Sequence, residues 1–259
     1  MTVGRALVTV ALLGSFAIAT ACGGGSPTSP SGSGATGSRS GANGSSAGAS
    51  QEVYWLSAFA NNAGTTAGSV VLTSKLLLDP PAGTVTTATA IARLVDGAVV
   101  DLAGTVEDNA WAVSGGGLVV RFRAPGPSQT TVGSGTSGTT ISATGVSMDS
   151  PFIRTGSAAT PEFYCGTFGL GDRSVGAGRM FLARNGSQIV GVMADGQAAL
   201  GFAGAYKTGG NATNGVEGTG TLPGGGTLGV AGFFLTNGNK VGSWVRPDAS
   251  GSWTLGNCP

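Results

Sequence analysis

Runs of alternating apolar and polar residues, broken at intervals by Asx-Gly pairs, constrain this chain more than any other feature. Leu118, Val120 and Phe122 alternate with Val119, Arg121 and Arg123. One face is apolar and the other ends in two guanidinium groups, the pattern of a half-buried strand. Between Ala98 and Val106, Val100, Leu102, Gly104 and Val106 fall on one side and Val99, Asp101, Ala103 and Thr105 on the other. Asp96-Gly97 precedes that run, and Asn185-Gly186, Asp195-Gly196 and Asn237-Gly238 recur further on. Such pairs favour the positive φ of two-residue hairpin turns. The pattern yields about seven candidate strands between Gln51 and Val146 and about eight between Phe163 and Leu255, with no capped helical stripe. The expected fold class is all-β, an antiparallel meander.

Two turn-rich stretches interrupt it, residues 124–138 and residues 147–161. The second divides the chain into meanders of similar size, residues 51–149 and residues 150–259. Each suits a small barrel or a strongly twisted sandwich. One large sheet system is the alternative, since all-β domains reach that length.

The 49 glycines follow no triplet period, which excludes a collagen helix. With 13 basic and 12 acidic residues the net charge is +1, so a grip on a polyanion is not expected, nucleic acid included. Histidine is absent, and with it the commonest general base and metal ligand. No metal or cofactor is expected.

Residues 1–21 read as a signal peptide. Arg5 supplies positive charge, and Ala6 to Ile18 form an uncharged apolar core of signal-peptide length, short of the about 20 residues a spanning helix needs. Small residues Ala19 and Ala21 then precede Cys22. Ala19-Thr20-Ala21-Cys22 resembles the bacterial lipoprotein box, departing from it at Ala19, where that family favours leucine. The resemblance implies that Cys22 is diacylated and becomes the new amino terminus, anchoring an exported protein in the cell envelope. Gly23, where a retention signal places aspartate, implies passage to an outer membrane if the host has one. Ordinary cleavage after Ala21 is the alternative. Residues 22–50 follow as a Gly/Ser-rich tether with one charge, Arg39. Nothing there is large and apolar enough to offset ordering entropy, and as a coil the segment would span roughly 30 Å.

Three cysteines leave an odd thiol in an oxidising compartment. With Cys22 lipidated, Cys165 and Cys258 remain to pair; two separate buried thiols are the alternative. Cys165 lies in the first candidate strand of the second half and Cys258 follows the last. Their pairing would set those strands side by side and close a barrel, with about 4–5 kcal/mol of chain-entropy stabilisation.

Gly166-Thr167-Phe168, Gly218-Thr219-Gly220-Thr221-Leu222, Gly242-Ser243-Trp244 and Gly251-Ser252-Trp253 resemble the glycine- and tryptophan-punctuated β-meanders of many exported bacterial proteins. That resemblance implies a fold class and no ligand. Glycines inside strands, Gly191, Gly201, Gly204, Gly229 and Gly232, either relieve crowding in a strongly coiled sheet or leave a groove. Apolar residues on both faces are the most pointed functional signal. Val190 and Val192 oppose Ile189 and Met193, while Phe233 and Leu235 oppose Leu228, Val230 and Phe234. One set fills a core, and the other needs a cover: the first half of the chain, an envelope protein or an apolar ligand.

Catalytic signals are weak. Gly44–Gly48 matches the nucleophile-elbow spacing, and Gly32–Gly37 and Gly133–Gly138 match a dinucleotide fingerprint, but none has the required strand and helix around it. Glu162 with Asp172 is the least unsuited carboxylate pair for a hydrolase. Arg121 and Arg123 read as a solvated edge or a hold for an anion. The expected function is therefore a cell-envelope lipoprotein acting as a non-enzymatic binding or structural module. The alternatives are a small apolar-ligand carrier with a barrel cavity and a carboxylate-based secreted hydrolase.

Overall fold

The computed structural model describes residues 50–77, 83–124, 131–132, 140–148, 150–172, 176–208, 214–235 and 237–259. Residues 1–21, read above as a signal peptide, Cys22, the stretch before Ser50 read as a tether, and the discounted motifs at Gly32–Gly37, Gly44–Gly48 and Gly133–Gly138 lie outside them. The fold is all-β and antiparallel.

Ten strands form one curled sheet: β1 (Ser50–Ala60), β2 (Ala67–Leu77), β3 (Val85–Leu94), β4 (Val99–Glu107), β5 (Ala110–Gly115), β6 (Leu118–Arg123), β7 (Thr131–Val132), β8 (Thr140–Ala143), β9 (Val146–Met148) and β10 (Phe152–Thr155). Their order is β7-β10-β1-β2-β3-β4-β5-β6-β8-β9. Eight more close into a barrel: β11 (Glu162–Leu170), β12 (Gly178–Asn185), β13 (Gln188–Ala194), β14 (Ala199–Thr208), β15 (Asn214–Thr221), β16 (Thr227–Phe234), β17 (Lys240–Arg246) and β18 (Ala249–Asn257). Strand β10, downstream of the sequence break at residues 149/150, pairs with β1 and β7, so the change of sheet falls between Thr155 and Glu162.

The Asx-Gly turns sit where the alternation places them. Gly97, Gly186, Gly196 and Gly238 have φ of 86°, 60°, 92° and 88°, conformations that a side chain resists. Asp96 and Asp195 accept hydrogen bonds from the amides of Ala98 and Ala198 at 3.0 and 2.8 Å, closing their turns as aspartate does.

An eight-stranded barrel is just wide enough for side chains to fill. Phe202, Trp253, Met180, Leu182 and Ile189 do so, each at most 1% exposed. Inward glycines make the filling possible. A Cβ on Gly191 would stand 2.6 Å from Phe202 Cε1, on Gly218 2.9 Å from Phe202 Cδ2, and on Gly242 2.5 Å from Trp253 Cε2. Crowding thus accounts for Gly191, and Gly232 likewise faces the Trp253 ring. Cys165 and Cys258 have Cα atoms 5.1 Å apart, at disulfide distance, and they sit on the seam where β11 pairs with β18.

The curled sheet has its own core on its concave side, where Phe122 stacks on Phe152 at 4.4 Å and meets Trp55 edge-on at 4.8 Å. A third apolar cluster joins the two sheets. Leu56, Ala58, Val71 and Ile153 on the convex side meet Phe181, Val190, Val192 and Ala203 on the outside of the barrel. Small side chains let the two curved surfaces approach. Hydrogen bonds ring the contact: Arg179 Nη1 to the Gly64 carbonyl at 3.0 Å, Asn62 Nδ2 to the Gln197 carbonyl at 2.9 Å, and Arg93 Nη2 to the Pro259 carbonyl at 3.0 Å.

Candidate functional site

Two places on the barrel gather chemistry. The first is the mouth formed where β11, β13, β15 and β17 begin and β12, β14, β16 and β18 end. Glu162 opens β11 facing inward, and strand pairing sets it opposite Arg184. Arg184 Nη1 lies 3.1 Å from Glu162 Oε2, and the Tyr164 hydroxyl donates to the same oxygen. The Arg184 guanidinium stacks 3.6 Å over the Tyr206 ring. Lys240, 7% exposed, donates to the Gly238 carbonyl at 2.8 Å and to Asn257 Oδ1 at 3.2 Å. Its ammonium stands 4.5 Å from the Tyr164 ring centre and 5.4 Å from that of Phe234, within cation–π range.

Burial pushes the Tyr164 phenol well above its usual range, and the hydrogen bond to Glu162 adds to this because losing the proton would place two anions together. Burial lowers the Lys240 ammonium, and the charge of Glu162 works against that shift. Perturbed groups of this kind mark candidate sites. Here the partners are mutual: carboxylate, guanidinium, phenol and ammonium hold one another, so the mouth is a polar plug over an apolar lumen.

Asp172 lies in the turn two residues past the far end of β11, and the eight strand steps from Glu162 to Leu170 alone span about 26 Å at the usual strand rise. This corrects the carboxylate pair suggested by the sequence, because a single strand holds its two ends at opposite mouths. Arg121 and Arg123 are exposed, and Arg123 donates to the Asp108 carbonyl at 3.2 Å. Trp55, Phe59, Trp111, Tyr164, Tyr206, Trp244 and Trp253 are buried in the cores. Among the described residues no three His, Cys, Asp or Glu side chains stand together as metal ligands would. No helix there is long and apolar enough to cross a membrane.

The second place is a trough on the outside of the barrel over β14 to β17. It comprises two adjoining recesses of about 430 and about 260 Å³ that share Glu217, Ala231 and Ser243. Its floor is backbone, laid bare by Gly229, Gly215 and Ala231, and Phe233 and Val245 stand at its rims, 53% and 57% exposed. Lys207 and Glu217, 2.6 Å apart, lie alongside. The two-faced strands therefore divide. Val190 and Val192 on β13 are covered by the curled sheet, whereas Phe233 and Leu235 stand exposed at and just beyond the end of β16. Sequence alternation identified both strands and missed the trough, because which outer face goes uncovered depends on where the other sheet docks.

Comparison with protein-family models, with curated proteins and with solved structures finds no match to this chain.

Proposed function

We propose that the protein is a cell-envelope lipoprotein, anchored through Cys22, whose exported β portion is a non-enzymatic binding or structural module that makes its contacts on outer surfaces. The observation carrying this reading is the distribution of space. The lumen is filled by buried side chains, Phe202, Trp253, Met180, Leu182 and Ile189 at most 1% exposed among them, while open recesses with apolar rims lie outside on β14 to β17. Ligand sites are concave and largely apolar with a few polar groups, and on the barrel those conditions meet in the trough. The anchor rests on the sequence at Cys22 and on cysteine pairing. Cys165 and Cys258 stand at disulfide distance, which leaves Cys22 as the thiol free for lipid.

Detergent phase partitioning of cells producing the wild-type chain and Cys22→Ala, with labelled palmitate supplied, tests the anchor. The wild type should enter the detergent phase carrying label, and the variant should do neither. Unlabelled, freely soluble wild-type protein contradicts the reading.

A further inference from the structure

The curled sheet and the barrel share more than strand content. Beginning from the first hairpin of each, inward residues can be matched strand by strand through the pairing registers. In the sheet Trp55 pairs with Leu72 and Phe59 with Gly68; in the barrel Tyr164 pairs with Leu182 and Phe168 with Gly178. Each phenylalanine lies over the glycine opposite it, with ring atoms 2.5 and 2.7 Å from where a Cβ would stand. One step on, Leu72 pairs with Ala90 and Leu182 with Gly191. Ala90 then pairs with Leu102, and Gly191 with Phe202.

The match holds where coincidence would break it. Two residues past Leu102 and Phe202 come Gly104 and Gly204, and at each the carbonyl of the next strand, Ala112 or Glu217, occupies the place of a Cβ. Gly104 pairs with Val113 and Gly204 with Gly218, which makes Gly115 the counterpart of Gly220. At those two glycines the obstructing carbonyls are Asp101 and Gly201, again counterparts. Gly115 pairs with Leu118 and Gly220 with Leu228; Val113 pairs with Val120 and Gly218 with Val230. Val120 meets Ile141 on β8 as Val230 meets Trp244 on β17. Connecting loops differ in length between the two series, yet the crowded glycines Gly68, Gly104 and Gly115 recur as Gly178, Gly204 and Gly220, and a one-residue slip at any hairpin would have put them on the other face.

We infer that β1–β6, β8 and β9 are a second copy of the eight-strand meander β11–β18, one copy closed and the other opened at its seam. The difference lies in the last strand. In the barrel β18 runs Ala249–Asn257 and reaches β11. Its counterpart β9 is only Val146–Met148, and the edge of β1 takes β10 instead. The closed copy carries the charged mouth: Glu162 and Arg184 stand where the open copy has Val53 and Ser74. It carries the trough too, since Gly229 and Ala231 replace Val119 and Arg121 on the outer face.

Loop exchange in the full chain tests the shared register. Replacing Thr221–Thr227 by Gly-Gly gives the barrel hairpin the spacing that separates Gly115 from Leu118. A companion variant replaces the same seven residues by a Gly/Ser heptapeptide. Cooperative unfolding with the native near-ultraviolet tryptophan signal is expected of the Gly-Gly variant. A barrel that folds with the heptapeptide and loses that signal with Gly-Gly overturns the shared register. Loss of the signal in both overturns the interchangeability that two copies of one meander require.

Discussion

Glycine sets the geometry at the residue scale. Gly191 carries no side chain because Phe202 lies where one would be, so Gly191→Ala must displace a fully buried ring. Overpacking of this kind costs about 1–3 kcal/mol. Gly256 meets nothing within 4 Å at the Cβ position, and Gly256→Ala should stay within about 0.5 kcal/mol of wild type. Denaturant midpoints of the two variants check the contrast, and equal effects would contradict a lumen packed around glycine. Tyr164 makes a second prediction. Its folded pKa is raised above the unfolded value by burial and the bond to Glu162, so the unfolded state releases that proton first. The stabilisation is whole below about pH 10 and is lost as pH rises beyond it. Unfolding free energies measured across that range should fall in the wild type and fall less in Tyr164→Phe. The strand faces around these residues were legible in sequence from alternation, and the turns from their Asx-Gly pairs. The mouth was not: Glu162, Arg184 and Lys240 come from three strands, and only the stagger of the barrel brings them to one end.

Closure governs the elements. Strands β11 and β18 are first and last in the barrel, and they pair from Tyr164–Asn257 to Leu170–Gly251. A crosslink between Cys165 and Cys258, 93 residues apart, restricts the unfolded chain more than a local one would. Replacing both cysteines by serine should cost about 4–5 kcal/mol in the chain-entropy model. Wild type in reductant should approach the double variant in thermal unfolding, and an unchanged midpoint would contradict a bonded seam. The cysteine count made this seam readable in advance. Strand β10 was harder, since Phe152–Thr155 sits in a turn-rich stretch. Only its partners identify it as a strand: β7 lies about 20 residues upstream in sequence and β1 about a hundred. Local pattern carries no information about such a pairing.

For the whole molecule, the two sheets are unequal partners. The barrel holds its own core and seam, while the curled sheet lies open and places Leu56, Val71 and Ile153 against the barrel. Leu56 is fully buried there, and Leu56→Asp would place an unpaired charge in that contact. Hydrogen exchange should then show protection lost across β1, β2 and β10 while β15 to β18 keep theirs, and uniform loss would contradict a barrel that stands independently. The sequence showed that both faces of the β13 region were apolar, and docking of the other sheet explains why. It also leaves Phe233 and Val245 exposed at the rim of a trough that no other described residue covers, the surface we propose for contact with a partner. Whether the molecule is tethered decides the functional account, and the intact mass of wild-type protein extracted from the membrane fraction reads this directly. The account predicts a chain beginning at Cys22 that carries the mass of a diacylglyceryl group. An unmodified chain recovered from the soluble fraction would contradict it.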